Sequence, residues 1–281
     1  MHDENIIEQH IDISEPNRSA VDWLSASTNL SKQIIKQTMT KGAVWLTRQE
    51  HTQRLRRASR KLNIGDTLHL YFNPVVLATE PPEAILIADE KDYSVWYKPS
   101  GLLSQGSKWS DHCTITRWAS QHLQPERSAF IVHRLDRAAT GLILVAHTKH
   151  ATKALTQLFQ QRAIEKTYQA IVLGHFPESP TTLTIDKPID DKHAISHVSL
   201  IEFSEQRNCS LVSINIETGR KHQIRKHLSL SGFPILGDRL YGQEQTFTTD
   251  LQLTAVSLRF TCPITGEKRN YRLAQQLSPR L

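Results

Sequence analysis

The stretch IVHRLDRAATGLILVA, residues 131–146, decides how the rest of the chain is read. Its second half, Gly141 to Ala146, is an unbroken apolar run of the length expected for a buried strand. Crowded just before it stand His133, Arg134, Asp136 and Arg137, with Thr140 behind them. An acid flanked by two arginines is expected to remain a carboxylate at neutral pH, because nearby positive charge favours the ionised form. That suits a nucleophile or an electrostatic stabiliser better than a general acid. The same string also fits an ion-pair partner or turn former beside a strand, since structural ion pairs imitate sites.

Working outward, the segments AILIAD, SVWYKPSG, KTYQAIVLG, SLVSINIET and AVSLRFTCP read as further short strands separated by turns. Two helices stand out. KHATKALTQLFQQRAI places Ala151, Leu155, Leu158 and Phe159 on one side, and HQIRKHLSLSG is closed by Gly232. The mixture predicts an α+β, antiparallel-rich domain over residues 84–281. Upstream, residues 1–28 are polar and acidic and are expected to form a loosely held arm. In residues 29–73, Ser31 is positioned to cap a helix carrying Ile34, Ile35 and Met39 in one stripe. Gly42 ends it before a strand over residues 43–46, and a turn at Asn63–Asp66 leads into a strand over Thr67–Phe72. Residues 74–83, rich in proline, read as a linker.

The net charge is +6, and its distribution is uneven. Residues 31–61 hold nine lysines and arginines against one acid, Glu50, a local balance of +8 that leaves −2 for the other 250 residues. Such a basic segment on a near-neutral body is the footprint of a phosphate-binding surface, or else a solvated helical face. Its candidate phosphate ligands are Lys32, Lys36, Arg54, Arg56, Arg57, Arg60 and Lys61. Cys113, Cys209 and Cys262 form no CxxC pair and the fourteen histidines show no metal-ligand spacing, so neither a disulfide framework nor a metal site is expected. No apolar run approaches the roughly 20 residues of a membrane-spanning helix, and the acidic N-terminus lacks the features of a secretory signal. A cytoplasmic protein without an obligate protein partner is expected.

The string HRLDRAATG resembles the HRLDxxTSG motif of RluA-type pseudouridine synthases, with Ala139-Thr140 in place of the usual Thr-Ser. WYKPSGLLSQGS (residues 96–107) resembles the family's NKPxGxxxH segment, and EKTYQAIVLG (165–174) its KxYxAxV strand. ETGRKHQIRKHLSLSGFPILGDRLYG (217–242) is similar to the TGRxHQIRxHL…GxPIxGDxxYG signature, and LTAVSLRFTCPITGEK to the family's closing segment, with Cys262 at its usual histidine. The resemblance runs in the family's order from about Ile85 to Lys268. It implies an antiparallel-rich mixed-sheet catalytic domain that isomerises uridine to pseudouridine in RNA without a cofactor. It further implies Asp136 as the catalytic carboxylate, Tyr168 as the residue that stacks on the extruded base or also accepts the proton at C5, and Arg225 as the partner of Asp136. Arg134, His133, Ile224, Arg220 and Lys221 are then candidate substrate contacts, Arg134 filling the space the base leaves and Ile224 forming an apolar wall. The basic helix, turn and strand of residues 29–73 loosely resemble the RNA-binding domain shared with ribosomal protein S-four. Ribosomal RNA is the favoured partner and transfer RNA the alternative.

Two other readings have less support. HRLD superficially resembles the HRD loop of protein kinases, but the chain has no GxGxxG loop, VAIK lysine or DFG ligand. A non-catalytic RNA-binding protein on the same scaffold remains compatible with fold alone, although Asp136, Tyr168 and Arg225 together speak for catalysis.

Overall fold

The computed structural model describes residues 6–242 and 248–281. The chain folds as two compact units, one of residues 1–81 with 105–118, the other of residues 82–104 with 119–281.

The first unit contains β1 (Ile7–Asp12), α1 (Ala20–Thr28), α2 (Lys32–Thr40), β2 (Val44–Arg48), β3 (His51–Arg54), β4 (Thr67–Phe72) and the short α3 (Pro74–Ala78). Its four strands form an antiparallel sheet in the order β1-β4-β2-β3. The expected loose arm is therefore ordered over much of its length. Glu8, His10 and Asp12 are exposed while Ile7 and Ile11 pack against a core of Val21, Leu24, Ile35, Met39 and Leu68. That alternation is hard to see in so polar a segment, and only pairing with β4 makes it a strand. Ser19 caps α1 by accepting from the Asp22 amide.

Ser31 caps α2 as its position predicts, with its hydroxyl accepting from Ile34 N–H. The buried stripe, however, is Ile35, Thr38 and Met39, and Ile34 faces outward. Part of the proline-rich linker is helical, because Asn73 caps α3 and Leu77 is buried. Residues 105–118 belong with this unit although no composition break marks them. Trp45 Nε1 donates to the Lys108 carbonyl at 3.0 Å, and Lys108 Nζ reaches Glu8 at 2.7 Å.

The second unit holds β5 (Ile85–Asp89), β6 (Tyr93–Lys98), β7 (Phe130–Ile131), β8 (Thr140–Ala146), α5 (Lys149–Gln160), β9 (Glu165–Leu173), β10 (Leu183–Asp186), β11 (Ile195–Ser204), β12 (Cys209–Ile216), α6 (Gln223–Leu230), β13 (Leu253–Thr261) and β14 (Lys268–Arg272). Between β6 and β7, α4 (Ile115–His122) carries the chain back into this unit. The strands join in the order β10-β11-β12-β9-β13-β8-β6-β5, with β14 beside β13 and β7 beside β8. Among the described residues β8–β13 is the one parallel pairing. The α+β, antiparallel-rich fold expected from the sequence is the fold observed.

Every residue of β8 from Gly141 to Ala146 is buried, which explains why the run is continuous rather than alternating. Gly141 has φ +112, and a Cβ there would sit 2.3 Å from the Ala255 carbonyl oxygen, so a side chain would push β8 off β13. On one side of the sheet α6 buries Ile224 and Leu228 against Ala170, Val212 and Ile214. That packing fixes which face of α6 points toward the segment ahead of β8. Among the described residues no helix is long and apolar enough to cross a membrane.

Candidate active site

Asp136 lies in the loop between β7 and β8, and the KPSGLLS segment holds that loop from below. Lys98 is fully buried and its Nζ donates to the carbonyls of Pro99 and Leu102 at 3.0 Å and of Arg137 at 3.2 Å. The Ser104 hydroxyl donates to Leu135 O and accepts from Leu135 N–H, and Gly101 N–H donates to Arg137 O. Burial pushes the Lys98 ammonium down to about 7, against the opposing pull of the Asp136 charge. Leu135 and Ala139 are buried on either side of Asp136, so the acid is held between two apolar anchors.

The arginines that flank Asp136 in sequence are not its partners. Arg137 Nε donates to Gly101 O at 3.3 Å, and the exposed Arg134 has no side-chain partner among the described residues. The charge facing Asp136 comes instead from α6. Arg225 Nη1 donates to Asp136 Oδ2 at 3.4 Å, and His222 Nε2 lies 3.8 Å from Oδ1. Burial lowers the His222 pKa below the usual imidazole range, outweighing the Asp136 charge, so the Arg225 guanidinium is the permanent cation beside the acid.

Arg225 is itself held by a carboxylate whose role the sequence does not announce. Its Nε and Nη2 donate to the two oxygens of Asp238 at 2.8 and 2.6 Å, a bidentate pair with side chains 6% and 1% exposed. Burial works against the Asp238 charge. The two Arg225 bonds and the amides of Leu240 and Tyr241 outweigh it and hold the carboxyl below its ordinary range. Tyr241 completes the frame, its ring 5.1 Å from the Arg225 guanidinium and its hydroxyl 3.0 Å from His222 Nδ1. Gln223 ties the preceding turn, its Oε1 accepting from Thr218 and from Arg220 N–H while Nε2 donates to Ile195 O and Ser196 Oγ. The GD and HQ positions of the quoted strings were the available signal for Asp238 and Gln223, but their partners lie in separate elements.

Together these groups line a recess of about 100 Å³ whose walls include Asp136, Tyr168, Ile224 and Arg225. Tyr168 comes from β9, and its hydroxyl has no partner among the described residues. Burial, followed by the Asp136 charge, raises its pKa above the normal phenol range and keeps it a neutral phenol. The side chain of Asp136 is 24% exposed, so a ligand entering the recess would meet a carboxylate on one wall and an aromatic ring on another. Among the described residues no cluster of three or more His, Cys, Asp or Glu is placed to hold a metal.

Residues 92–230 match the RNA pseudouridylate synthase family. The dual-specificity RNA pseudouridine synthase RluA of Salmonella typhimurium is 32% identical over 219 residues, covering 72% of this chain and 96% of that protein. An uncharacterized RNA pseudouridine synthase of Aquifex aeolicus is 30% identical over 241 residues, 77% of this chain and 74% of that one. The chain belongs to the RluA-type RNA pseudouridine synthases. Human RNA pseudouridylate synthase domain containing 1 shares the fold of this synthase at a TM-score of 0.59 and 21% identity, over 70% of this chain and 86% of that one.

Of the substrate contacts expected in the synthase, Arg134, Arg220 and Ile224 line the recess. Lys221 is exposed on the turn before α6. His133 does not line this recess. Its Nε2 accepts from Leu144 N–H at 2.9 Å, its ring stacks on Phe159 at 4.2 Å, and burial pushes its pKa down to about 3. It therefore anchors the loop to β8, a tertiary contact that sequence position does not show.

The basic candidates of the first unit divide in the same way. Lys32 pairs with Asp22 at 2.7 Å, while Arg54 and Arg56 both bind Asp111 and backbone carbonyls. These charges are spent inside the unit, because Asp111 arrives from the 105–118 excursion. Lys36, Arg57 and Lys61 carry no side-chain partner among the described residues, Arg60 acts on Asp66 through its charge alone, and Arg57, Arg60 and Lys61 line a shallow cleft of about 390 Å³.

Proposed function

We propose that this synthase acts on uridines of structured RNA, ribosomal RNA first and transfer RNA as the alternative, with Asp136 as the indispensable carboxylate. The observation supporting this most directly is the recess itself, which sets one solvent-reachable carboxylate beside Arg225 and opposite Tyr168. Pseudouridylation breaks the bond between uracil N1 and ribose, turns the base and rejoins it through C5. Attack on the anomeric carbon, attack on the base and elimination to a glycal all need such a carboxylate, and each is served by excluding water. The base must first leave its stack, at a cost of a few kcal/mol. Arg134, exposed at the rim and without a side-chain partner among the described residues, is suited to fill the vacated space, because a guanidinium both stacks and binds phosphate. Tyr168, kept neutral, serves as a stacking surface and hydrogen-bond donor rather than as a base.

The experiment that tests this reading maps pseudouridines chemically in total RNA from cells with and without the gene. Loss of at least one site in ribosomal or transfer RNA is expected, and unchanged maps in both would overturn it. One relative's name includes dual specificity, so sites in more than one RNA are a readable outcome.

In this proposal the first unit is an S-four-like RNA-binding module of a cytoplasmic enzyme. The three cations of its shallow cleft, Arg57, Arg60 and Lys61, bind phosphate. Replacing all three by Gln is expected to weaken RNA binding and to reduce the log–log salt slope by roughly 2–3, at roughly 0.7–0.9 for each phosphate left without its cation. Filter binding at several salt concentrations checks this, and an unchanged slope would make the cluster a solvated face. The isomerisation needs no metal or carrier, so turnover is expected to be unchanged in excess EDTA. A drop in activity in chelator, reversed by a divalent ion on an RNA whose folding is shown to be unaffected, would contradict this.

A further inference from the structure

The Asp136 recess adjoins a larger cavity of about 570 Å³ in the same unit, the two sharing Arg134, Tyr168, Ile216, Gly219 and Arg220 as a common rim. Its volume is in the range of small-molecule sites, roughly 300–1000 Å³. Its floor is apolar, from Ile131, Val132 and Phe159, and its far edge carries Gln160, Arg162 and Lys166.

The charge on this lining is uncompensated. The side chains of Arg134, Arg162 and Lys166 have no hydrogen-bond or ion-pair partner among the described residues, and Arg220 uses only its Nε, donating to His193 O. The one acid in the lining, Glu217, is engaged by His197 at 2.7 Å. Lys166 is half-buried, and burial, with the Arg162 charge as a smaller cause, depresses its pKa. A concave surface of one sign with apolar walls concentrates an anion.

A uridine seated at Asp136 is part of a strand, and the strand must continue past the rim. We infer that the 570 Å³ cavity is the subsite for the nucleotide joined to the target uridine. The linking phosphate passes between Arg134 and Arg220, the two cations that line both cavities. Arg162 and Lys166 hold the next phosphate, and the neighbouring base lies on the apolar floor. Gln160, whose amide carries both a donor and an acceptor, is placed to read an edge of that base. Specificity for the flanking sequence is thereby assigned to the end of α5 and the start of β9. The inference rests on the reading that the Asp136 recess receives the uridine.

The test uses the full-length protein with unmodified transcripts of ribosomal and transfer RNA, from which a converted uridine is located and placed in a synthetic stem–loop. Single-turnover rates against RNA concentration are then measured for stem–loops with either neighbour of the target made abasic. Removing the base that occupies the cavity is expected to raise the half-saturating concentration about tenfold with the saturated rate kept, the scale of one or two missing hydrogen bonds. Gln160→Ala should lose that discrimination, and Arg162→Gln and Lys166→Gln should raise the half-saturating concentration on the intact stem–loop by a similar factor. If neither abasic neighbour nor any variant moves it, or if only the saturated rate falls, the cavity is not a nucleotide subsite. Anisotropy of the labelled transcripts with the same variants reads the cavity without turnover. Binding that depends on Arg162 and Lys166 while no uridine is converted would mean that the catalytic reading had failed and the subsite had not. Binding indifferent to both would overturn the subsite.

Discussion

Asp136→Asn is expected to reduce pseudouridine formation below detection while leaving melting and RNA affinity within about 1 kcal/mol of the parent. The amide keeps the shape of the side chain and loses the charge. The structural consequence is small because Asp136 holds little in place. Its hydrogen bond with Arg225 is long, at 3.4 Å, and its loop is anchored through Lys98, Ser104 and the neighbouring Leu135 instead. Arg225 also stays neutralised by Asp238 when Asp136 is changed. Product formation and thermal melting should be measured on the same preparation. An Asn variant with substantial turnover would remove Asp136 from the chemistry, and one that no longer melts cooperatively would show the acid to be structural.

The second large effect is expected at Asp238, a residue at the back of the site. Asp238→Ala strands the Arg225 guanidinium in a buried setting, and breaking a buried pair from one side costs about 3–5 kcal/mol. For a unit of this size that corresponds to a fall in Tm of roughly 6–20 °C, at about 2–4 °C per kcal/mol. Activity should fall further than stability alone explains, since Arg225 would be free to leave Asp136. The double variant Arg225→Leu with Asp238→Leu separates the two roles, because a buried ion pair replaced by apolar residues is often no less stable. It should recover most of the melting temperature and none of the turnover. If turnover returned with stability, the pair would serve packing only, and the charge beside Asp136 would be dispensable.

Much of the catalytic unit is legible because its signals are local. The apolar run Gly141–Ala146 is buried on both faces of the sheet, so its composition alone marks a central strand. The closing Gly232 of α6, like the Ser31 cap of α2 in the smaller unit, acts over three or four residues, and such motifs can be read directly from spacing. The three residues set apart for chemistry, Asp136, Tyr168 and Arg225, do meet in one recess. What misleads is proximity in sequence. Arg137, beside Asp136 in the chain, binds Gly101 and Arg134 has no side-chain partner among the described residues, while the cation of Asp136 arrives from a helix 89 positions later.

The sequence by itself determined the α+β class, most of the strands of the larger unit, the basic character of the smaller one and the family to which the chain belongs, since each depends on composition, short periods or local motifs. The tertiary structure alone decided that residues 7–12 and 20–28 are a strand and a helix, that 105–118 fold with the first unit, and that Arg54 and Arg56 are occupied by Asp111. It also decided that Arg225 is shared between Asp238 and Asp136. A charge is committed by whichever opposite charge the fold brings within about 4 Å, where the attraction outweighs solvation in a half-buried setting. That distance is set by strand pairing and helix packing between distant segments, and a linear sequence carries no measure of it.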